Sequence, residues 1–126
     1  MYKTFLIKNV EEREENKMKV MICQGMNGRK TSEIEEERNE AVETLNRMGI
    51  EVVGSVFNEE VNGYITPSLY YLSKSIDMLA NVHAVIFIGK WKDYRGCRIE
   101  HEIAREYGIK ILYEEFLTNA YVRSVY

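Results

Sequence analysis

The segment AVIFIG, residues 84–89, decides the fold of this chain. Its five consecutive apolar residues form the continuous pattern that is typical of a strand buried on both faces of a parallel sheet. A segment whose apolar residues recur at helical spacing follows at residues 96–107. A buried strand followed by a helix is the repeating unit of α/β proteins, so this pair predicts that class of fold.

The same unit repeats on both sides of this segment. Residues 19–23, 50–57 and 109–113 are further segments of β type, and helical patterns lie between them. Because strands and helices alternate along the chain, we expect the strands to run parallel, with helices on both faces of the sheet. We therefore predict a single-domain, flavodoxin- or Rossmann-like three-layer sandwich with a mainly parallel sheet of about four or five strands.

Local signals delimit the first two helices. Thr31 and Ser32 offer N-caps for the first helix, and Glu35 follows Ser32 at the spacing of a capping box. Gly49 is expected to end this helix, because glycine readily adopts the left-handed conformation found after helix C-termini. The second helix is expected over residues 69–81, where leucine and isoleucine recur at helical intervals.

The length of 126 residues suits one domain with its own hydrophobic core. We assign residues 18–115 to the α/β domain and residues 1–17 to an N-terminal arm or small extra element. Residues 116–126 form an aromatic C-terminal tail. We expect this tail to dock on the same subunit or on a neighbouring one, because its apolar side chains favour burial.

Charge and hydropathy argue against several classes of protein. The formal net charge of −3 argues against a nucleic acid polymer as partner. No apolar run approaches the roughly 18 residues of a membrane span, and the N-terminus lacks the pattern of a signal peptide. We therefore expect a cytoplasmic protein with no membrane partner. The two cysteines lack a zinc-type spacing, so no metal and no organic cofactor are expected.

Glu100 is the most informative polar residue of the helix at 96–107. On a helical wheel it falls near the middle of an apolar arc. The arc consists of Cys97, Ile99, Ile103, Ala104 and Tyr107. A carboxylate against a core is costly unless it is paired, hydrogen-bonded or used. Two interpretations stay open: a catalytic carboxylate that acts as a nucleophile or stabilises positive charge, or a structural ion pair with Arg38.

Two loops follow strands at the carboxyl edge, where parallel sheets bind ligands. The first loop consists of Gln24, Gly25, Met26, Asn27 and Gly28. Its glycines would allow a ligand to approach the backbone closely, although an ordinary strand-to-helix loop has the same composition. The spacing matches neither the dinucleotide-binding pattern nor a Walker A loop.

The second loop is basic and aromatic. Its basic residues are Lys90, Lys92, Arg95 and Arg98. They either bind a phosphate or are simply solvated. Trp91 and Tyr94 either stack on a base or pack against the protein.

The remaining polar residues carry weaker signals. Asp77 lies off the apolar stripe of the second helix. Its position alone predicts a solvated side chain rather than a functional one. His101 is expected on the solvent side of its helix. Neither His83 nor His101 has a serine or cysteine partner suggested by sequence, which argues against a histidine-based triad.

Residues 89–102, GKWKDYRGCRIEHE, resemble the signature of a small bacterial and phage family that is grouped with the nucleoside 2-deoxyribosyltransferases. Residues 21–28 resemble the opening strand and loop of that family, and the resemblance covers about residues 18–115. In the wider superfamily, a glutamate four residues after a glycine attacks the anomeric carbon of a nucleoside or nucleotide. Gly96 and Glu100 have this spacing, so the resemblance implies that Glu100, rather than Glu102, is the nucleophile.

The resemblance also implies roles for other residues. Asp77 would help to hold the sugar, and the loop of residues 24–28 would line the pocket for base and sugar. Tyr94 stands where the transferases usually carry an aspartate. The family further implies a homo-oligomer, a dimer or higher, whose sites are completed by a neighbour.

Three functions follow from these observations. The first is an enzyme that cleaves or transfers at the N-glycosidic bond of a nucleoside or nucleotide, with Glu100 as nucleophile and Arg95 or Arg98 as phosphate ligands. The second is a non-catalytic nucleotide-binding module that senses or sequesters a nucleotide-derived signal. The third is a degenerate member that serves as an oligomeric scaffold.

Overall fold

The computed structural model describes residues 17–54 and 63–125, with side chains described as far as residue 119. Four strands and four helices alternate in it. They are β1 (Lys19–Cys23), α1 (Thr31–Arg47), β2 (Glu51–Val53), α2 (Pro67–Leu79), β3 (Ala84–Phe87), α3 (Arg95–Glu106), β4 (Lys110–Tyr113) and α4 (Glu114–Val125), with a short 3-10 turn at Trp91–Asp93. The predicted α/β class is confirmed.

The sheet has four strands in the order β2-β1-β3-β4, and every pairing is parallel. In the middle of the sheet, Val20 of β1 lies beside Ala84 of β3. From β1 the chain passes through α1 to β2, on one side of β1. It then passes through α2 to β3, on the other side of β1. The strand order therefore changes direction between β1 and β3, and the carboxyl ends of these two strands form the crevice in which such sheets bind ligands.

Two apolar cores cover the faces of the sheet. Alternate residues of β1 and β3 point to opposite faces, as the period of a strand requires. The first core joins the sheet to α1 and α4 through Ala41, Leu45, Phe116 and Leu117. The second core joins it to α2 and α3 through Leu79, Cys97 and Ala104. All four residues of β3 are buried, as the uninterrupted apolar run predicted.

The start of α1 differs from the sequence prediction, whereas its end agrees. Lys30 is the N-cap and makes no side-chain capping bond, so the expected N-cap at Thr31 or Ser32 and the capping box of Ser32 with Glu35 are wrong. The N–H groups of Glu33 and Ile34 donate to the Lys30 carbonyl, so the first bonds of the helix begin one residue before the predicted caps. At the other end, Gly49 has a φ of +75° and its N–H donates to the Asn46 carbonyl, the geometry of a glycine-terminated helix.

Strand β2 is shorter than predicted. It ends at Val53, and Gly54 follows with a φ of +88°, a conformation that does not continue a strand. The rest of the predicted strand, residues 55–57, lies outside the described part of the chain, as does most of the proposed N-terminal arm.

The C-terminal segment is a helix. The boundary that the sequence placed at residue 116 lies inside α4, which begins at Glu114. Phe116 and Leu117 pack against the first core, so this part of the helix contacts its own domain. Within the described residues, no helix combines the length and the hydropathy needed to cross a bilayer.

The first core offers a direct test of the packing. Leu45 has no exposed surface, so Leu45→Ala removes buried methyl groups and leaves a cavity. We expect a loss of about 2–5 kcal/mol in the free energy of unfolding, measured by urea denaturation. Leu69→Ala is the matched control, because Leu69 is 61% exposed and its loss should cost less than about 0.5 kcal/mol. Equal effects from the two substitutions would contradict this packing.

Candidate functional site

The loops that follow β1 and β3 meet at the carboxyl edge of the sheet. The N–H of Ile88 donates to the Cys23 carbonyl at 3.0 Å, which extends the pairing of the two strands to the point where both loops begin. Residues 24–29 leave from β1, and residues 89–94 lead from β3 into α3. This edge gathers Gln24, Gly25 and Tyr94, together with Glu100 of α3.

Glu100 lies at the centre of the buried face of α3. It is 6% exposed, and the buried residues of its helix are Cys97, Glu100 and Ala104. The apolar arc predicted from the helical wheel is too wide. Two of its members are exposed in the structure, Ile99 at 37% and Tyr107 at 81%. The small side chains of Cys97 and Ala104 let α3 approach the sheet closely, and this approach buries Glu100.

Glu100 is held by hydrogen-bond donors. The Cys23 thiol donates to its Oε2 atom over 2.6 Å, and the Ser75 hydroxyl of α2 is near enough to lower the pKa of the same carboxylate. Within the described residues, no cationic side chain forms an ion pair with Glu100. The alternative interpretation, a structural ion pair with Arg38, is wrong, because the Nη2 atom of Arg38 donates to the Gly54 carbonyl at 2.7 Å.

Burial controls the protonation of this pair. Desolvation raises the pKa of Glu100, and the hydrogen bonds from Cys23 and Ser75 offset only part of that effect. The pKa of Cys23 is also raised, chiefly by its hydrogen bond with Cys97, then by burial and by the negative charge of Glu100. Cys23 therefore stays a thiol and remains a donor.

Sequence reasoning missed Cys23 and Ser75. Ser75 lies three residues after Leu72 and four before Leu79, on the apolar stripe of α2, so a helical wheel marks it as a polar residue on a core face. Cys23 is the last residue of a buried strand at the ligand-binding edge, but a thiol in an apolar run is read as part of the core.

The loop after β1 is fastened to α1 by a polar network. Gln24 is 4% exposed, and its Nε2 atom donates to the Ile34 carbonyl at 3.2 Å and to Glu37 at 3.0 Å. Arg29 makes two hydrogen bonds of 3.1 Å with Glu37, and a third of 2.7 Å with the Gly25 carbonyl. Among the described residues, the buried Oε1 atom of Gln24 is the side-chain acceptor left without a partner. The carboxamide thus fixes the loop, and its oxygen atom is buried without a hydrogen-bond donor among the described residues.

Gly25 and Tyr94 are in close contact. Gly25 is buried, and a Cβ atom placed there would lie 2.1 Å from the Tyr94 ring. The close approach expected at Gly25 is therefore made by an aromatic ring of the protein itself. Asn27 and Gly28 are exposed and Met26 is half-buried, so the outer part of the loop lies at the surface.

Trp91 packs within the protein on the β4 side of α3. Its ring is stacked on His101, with the centroids 4.6 Å apart, and contacts Phe87. The Nε2 atom of His101 and the hydroxyl of Tyr113 are joined by a 2.7 Å hydrogen bond. His101 is half-buried in this cluster, so its predicted solvent-facing position is wrong.

The remaining predicted ligands are at the surface. Exposed basic residues surround the start of α3: Lys90, Lys92, Arg95 and Arg98. Arg98 braces the loop by donating to the Lys92 carbonyl at 2.8 Å, and Gly96 is half-buried beside it. Asp77 is exposed, and within the described part of the chain its carboxylate has no hydrogen-bond or ion-pair partner. Ser75 is the residue that α2 contributes next to Glu100.

Residues 18–113 match the model of a family described as a domain of unknown function (DUF4406), and the chain belongs to that family. The matched region begins just before β1 and ends with β4, so it contains every strand and every site residue described above. Comparisons with curated proteins and with solved structures give no match.

The raised pKa of Glu100 predicts a pH-dependent cost to stability. The folded state retains this proton at a higher pH than the unfolded chain does, whose glutamate titrates near about 4.3. The stabilisation is fully present below that pH and is lost as the pH rises through the folded pKa. We therefore expect Glu100→Gln to gain stability relative to wild type as the pH increases, measured by urea denaturation with a chelator in the buffer.

Glu102→Gln is the control for this pH dependence. Its hydrogen bond with Arg105 lowers the pKa of Glu102, so any pH effect there should have the opposite sign and be small, because the pair is exposed. A stability difference between Glu100→Gln and wild type that does not change with pH would contradict the burial of an ionisable carboxyl.

The contact between Gly25 and Tyr94 predicts a coupled pair of substitutions. Gly25→Ala should lower the free energy of unfolding by about 1–3 kcal/mol, because the new methyl group clashes with the ring. In a Tyr94→Ala background the same change should cost less than about 0.5 kcal/mol. Gly96→Ala is the matched control, since a Cβ atom there meets nothing within 4 Å. Additive effects of the Gly25 and Tyr94 substitutions would exclude the contact.

Proposed function

We propose that this protein cleaves or transfers at the N-glycosidic bond of a nucleoside or nucleotide, with Glu100 as the nucleophile. One observation carries the proposal: a buried carboxylate lies at the carboxyl edge between β1 and β3, accepts a hydrogen bond from the neutral Cys23 thiol, and has the Ser75 hydroxyl near enough to lower its pKa. A structural carboxylate in such a place is normally neutralised by a cation. Among the described residues no cation pairs with Glu100, so its carboxylate, when ionised, is free to meet positive charge that develops during a reaction.

The chemistry suits this environment. As the bond from the anomeric carbon to the base breaks, its electron pair leaves with the base, and positive charge develops on the sugar. One carboxylate oxygen of Glu100 stabilises this charge and bonds to the anomeric carbon. The base takes up a proton from solvent as it leaves. Water or a second base then attacks the same carbon, gives up a proton to solvent and releases the Glu100 carboxylate, which gives hydrolysis or transfer respectively.

Cys23 and Ser75 are positioning residues in this proposal. Their hydrogen bonds favour the ionised form of Glu100, against the effect of burial, and fix the carboxylate in one orientation. Helix α2 contributes Ser75 to the site, because the Ser75 hydroxyl acts on the Glu100 carboxylate. The sugar-holding role inferred for Asp77 requires the substrate to extend toward the exposed face of that helix.

Substrate recognition is assigned to the rim of the crevice. We assign Tyr94 and the backbone of Gly25, which are in close contact, to the entrance for a base or sugar. The preceding residue, Gln24, has a buried Oε1 atom without a hydrogen-bond donor among the described residues. Arg95 is exposed at the first position of α3, where a side chain and the backbone N–H groups favour a phosphate. These features support a nucleotide at least as well as a nucleoside.

The test compares wild type with Glu100→Gln on a panel of deoxynucleosides, deoxynucleotides and their ribose counterparts, with a chelator present. Free base is measured by chromatography, with and without a second base as acceptor. We expect turnover by wild type, and a loss on the order of 10³-fold or more in Glu100→Gln. Glu102→Gln is the control and should keep its activity, because Glu102 is exposed on the other side of the helix.

Two outcomes would overturn the assignment. Loss of turnover in Glu102→Gln but not in Glu100→Gln would move the nucleophile. Tight binding of a nucleotide by both wild type and Glu100→Gln, without release of base from any substrate, would establish a non-catalytic binding module instead.

A further inference from the structure

Three potential metal ligands meet beneath the crevice. The Sγ atoms of Cys23 and Cys97 and a carboxylate oxygen of Glu100 all lie within 4.8 Å of one another. Their residues are 3%, 5% and 6% exposed, so the cluster is enclosed by protein. Sequence spacing gave no sign of it, because one cysteine ends β1 and the other lies in α3.

The donor set has a defined chemical preference. Two thiol sulfurs and one carboxylate oxygen suit Zn²⁺ and other thiophilic divalent cations, whereas Mg²⁺ and Ca²⁺ prefer oxygen ligands alone. Three protein ligands leave one position of a tetrahedral site for water or another small ligand. Within the described residues, no lysine or arginine forms an ion pair with the cluster that would compete with a cation.

The distances are compatible with one shared cation. Zn–S bonds of about 2.3 Å and Zn–O bonds of about 2.0 Å place tetrahedral sulfur atoms about 3.8 Å apart, and sulfur and oxygen about 3.5 Å apart. The present Cys23–Glu100 distance is 2.6 Å, so the two atoms would need to separate by about 1 Å as the shared proton leaves. Side-chain rotation is sufficient for a change of that size.

The surrounding elements hold the ligands for this role. Cys97 and Glu100 are three positions apart on α3, so they share one face of the helix, and β1 supplies Cys23 opposite them. Cys97 lies in the first turn of α3, where free N–H groups favour an anionic ligand. The Ser75 hydroxyl orients the carboxylate from outside, in the manner of a hydrogen bond behind a metal ligand.

We propose that Cys23, Cys97 and Glu100 bind one thiophilic divalent cation, with Zn²⁺ as the physiological candidate. Binding releases one proton from each thiol to solvent, and both sulfurs coordinate as thiolates. The carboxylate supplies the third ligand. Cation binding does not depend on the proposed reaction, but a bound cation would occupy the oxygen atoms that the reaction needs. A metal-loaded protein would then be the inactive form.

The experiment uses Co²⁺ as a spectroscopic probe on reduced, chelator-treated protein. The chain has only two cysteines, so a thiolate-to-cobalt charge-transfer band can arise only from Cys23 or Cys97. We expect this band to saturate at one cation per chain and to disappear when Zn²⁺ is added. Cys23→Ser and Cys97→Ser should each weaken or abolish it.

Glu100→Gln provides a second test of the site that keeps both cysteines, in case a cysteine variant fails to fold. This variant should retain a thiolate band but bind Co²⁺ at least about tenfold more weakly, because one ligand is lost. Glu102→Gln should bind as wild type does. Absence of a thiolate band in wild type, or equal affinity in wild type and Glu100→Gln, would overturn the proposal. Because turnover is measured with chelator present, failure of the metal proposal leaves the proposed reaction untouched, and the reverse also holds.

Discussion

The hydrogen bond from the Cys23 thiol to Glu100 is the interaction on which the organisation of this site depends. A carboxyl group at the core between a helix and a sheet is tolerated only if polar groups reach it. Here the last side chain of β1 and a hydroxyl of α2 supply those groups, so three elements converge on one carboxylate. The contact also requires small side chains at Cys97 and Ala104 of α3, because larger ones would hold the helix too far from the sheet for the Cys23 thiol to reach Glu100.

The two faces of the sheet contribute to the site in different ways. Helices α2 and α3 carry Ser75 and Glu100, whereas α1 and α4 fix the loops. Glu37 of α1 binds both Gln24 and Arg29, and Glu114 of α4 accepts a hydrogen bond from the N–H of Gly89. Each of the two loops at the carboxyl edge is thereby attached to a helix on the opposite face from Glu100. The crevice is bounded by anchored backbone, which is the condition for a preorganised site.

Local patterns predicted the parts of this structure that depend on local physics. The run at 84–89 predicted β3 because burial on both faces leaves no polar position in a strand, and the wheel of α3 predicted that Glu100 is buried. Partners were not predictable in the same way. Cys23 is 77 residues from Glu100, and the stacking of Trp91 on His101 depends on how the loop folds back over the helix. The ion pair of Glu100 with Arg38, one of the two interpretations from sequence, was wrong because the two residues are buried on opposite faces of the sheet. The pattern of one helix cannot show which face of the sheet that helix covers.

The long separation of Cys23 and Glu100 also has a kinetic consequence. Parallel strands β1 and β3 pair only after the intervening chain has closed a large loop, and closures of that kind form late and slowly. Until they pair, Glu100 remains hydrated and titrates as an ordinary glutamate, and the two cysteines are independent thiols. The chemical character of the site therefore emerges only with the last long-range contacts, and the reactivity of these thiols reports the completion of folding.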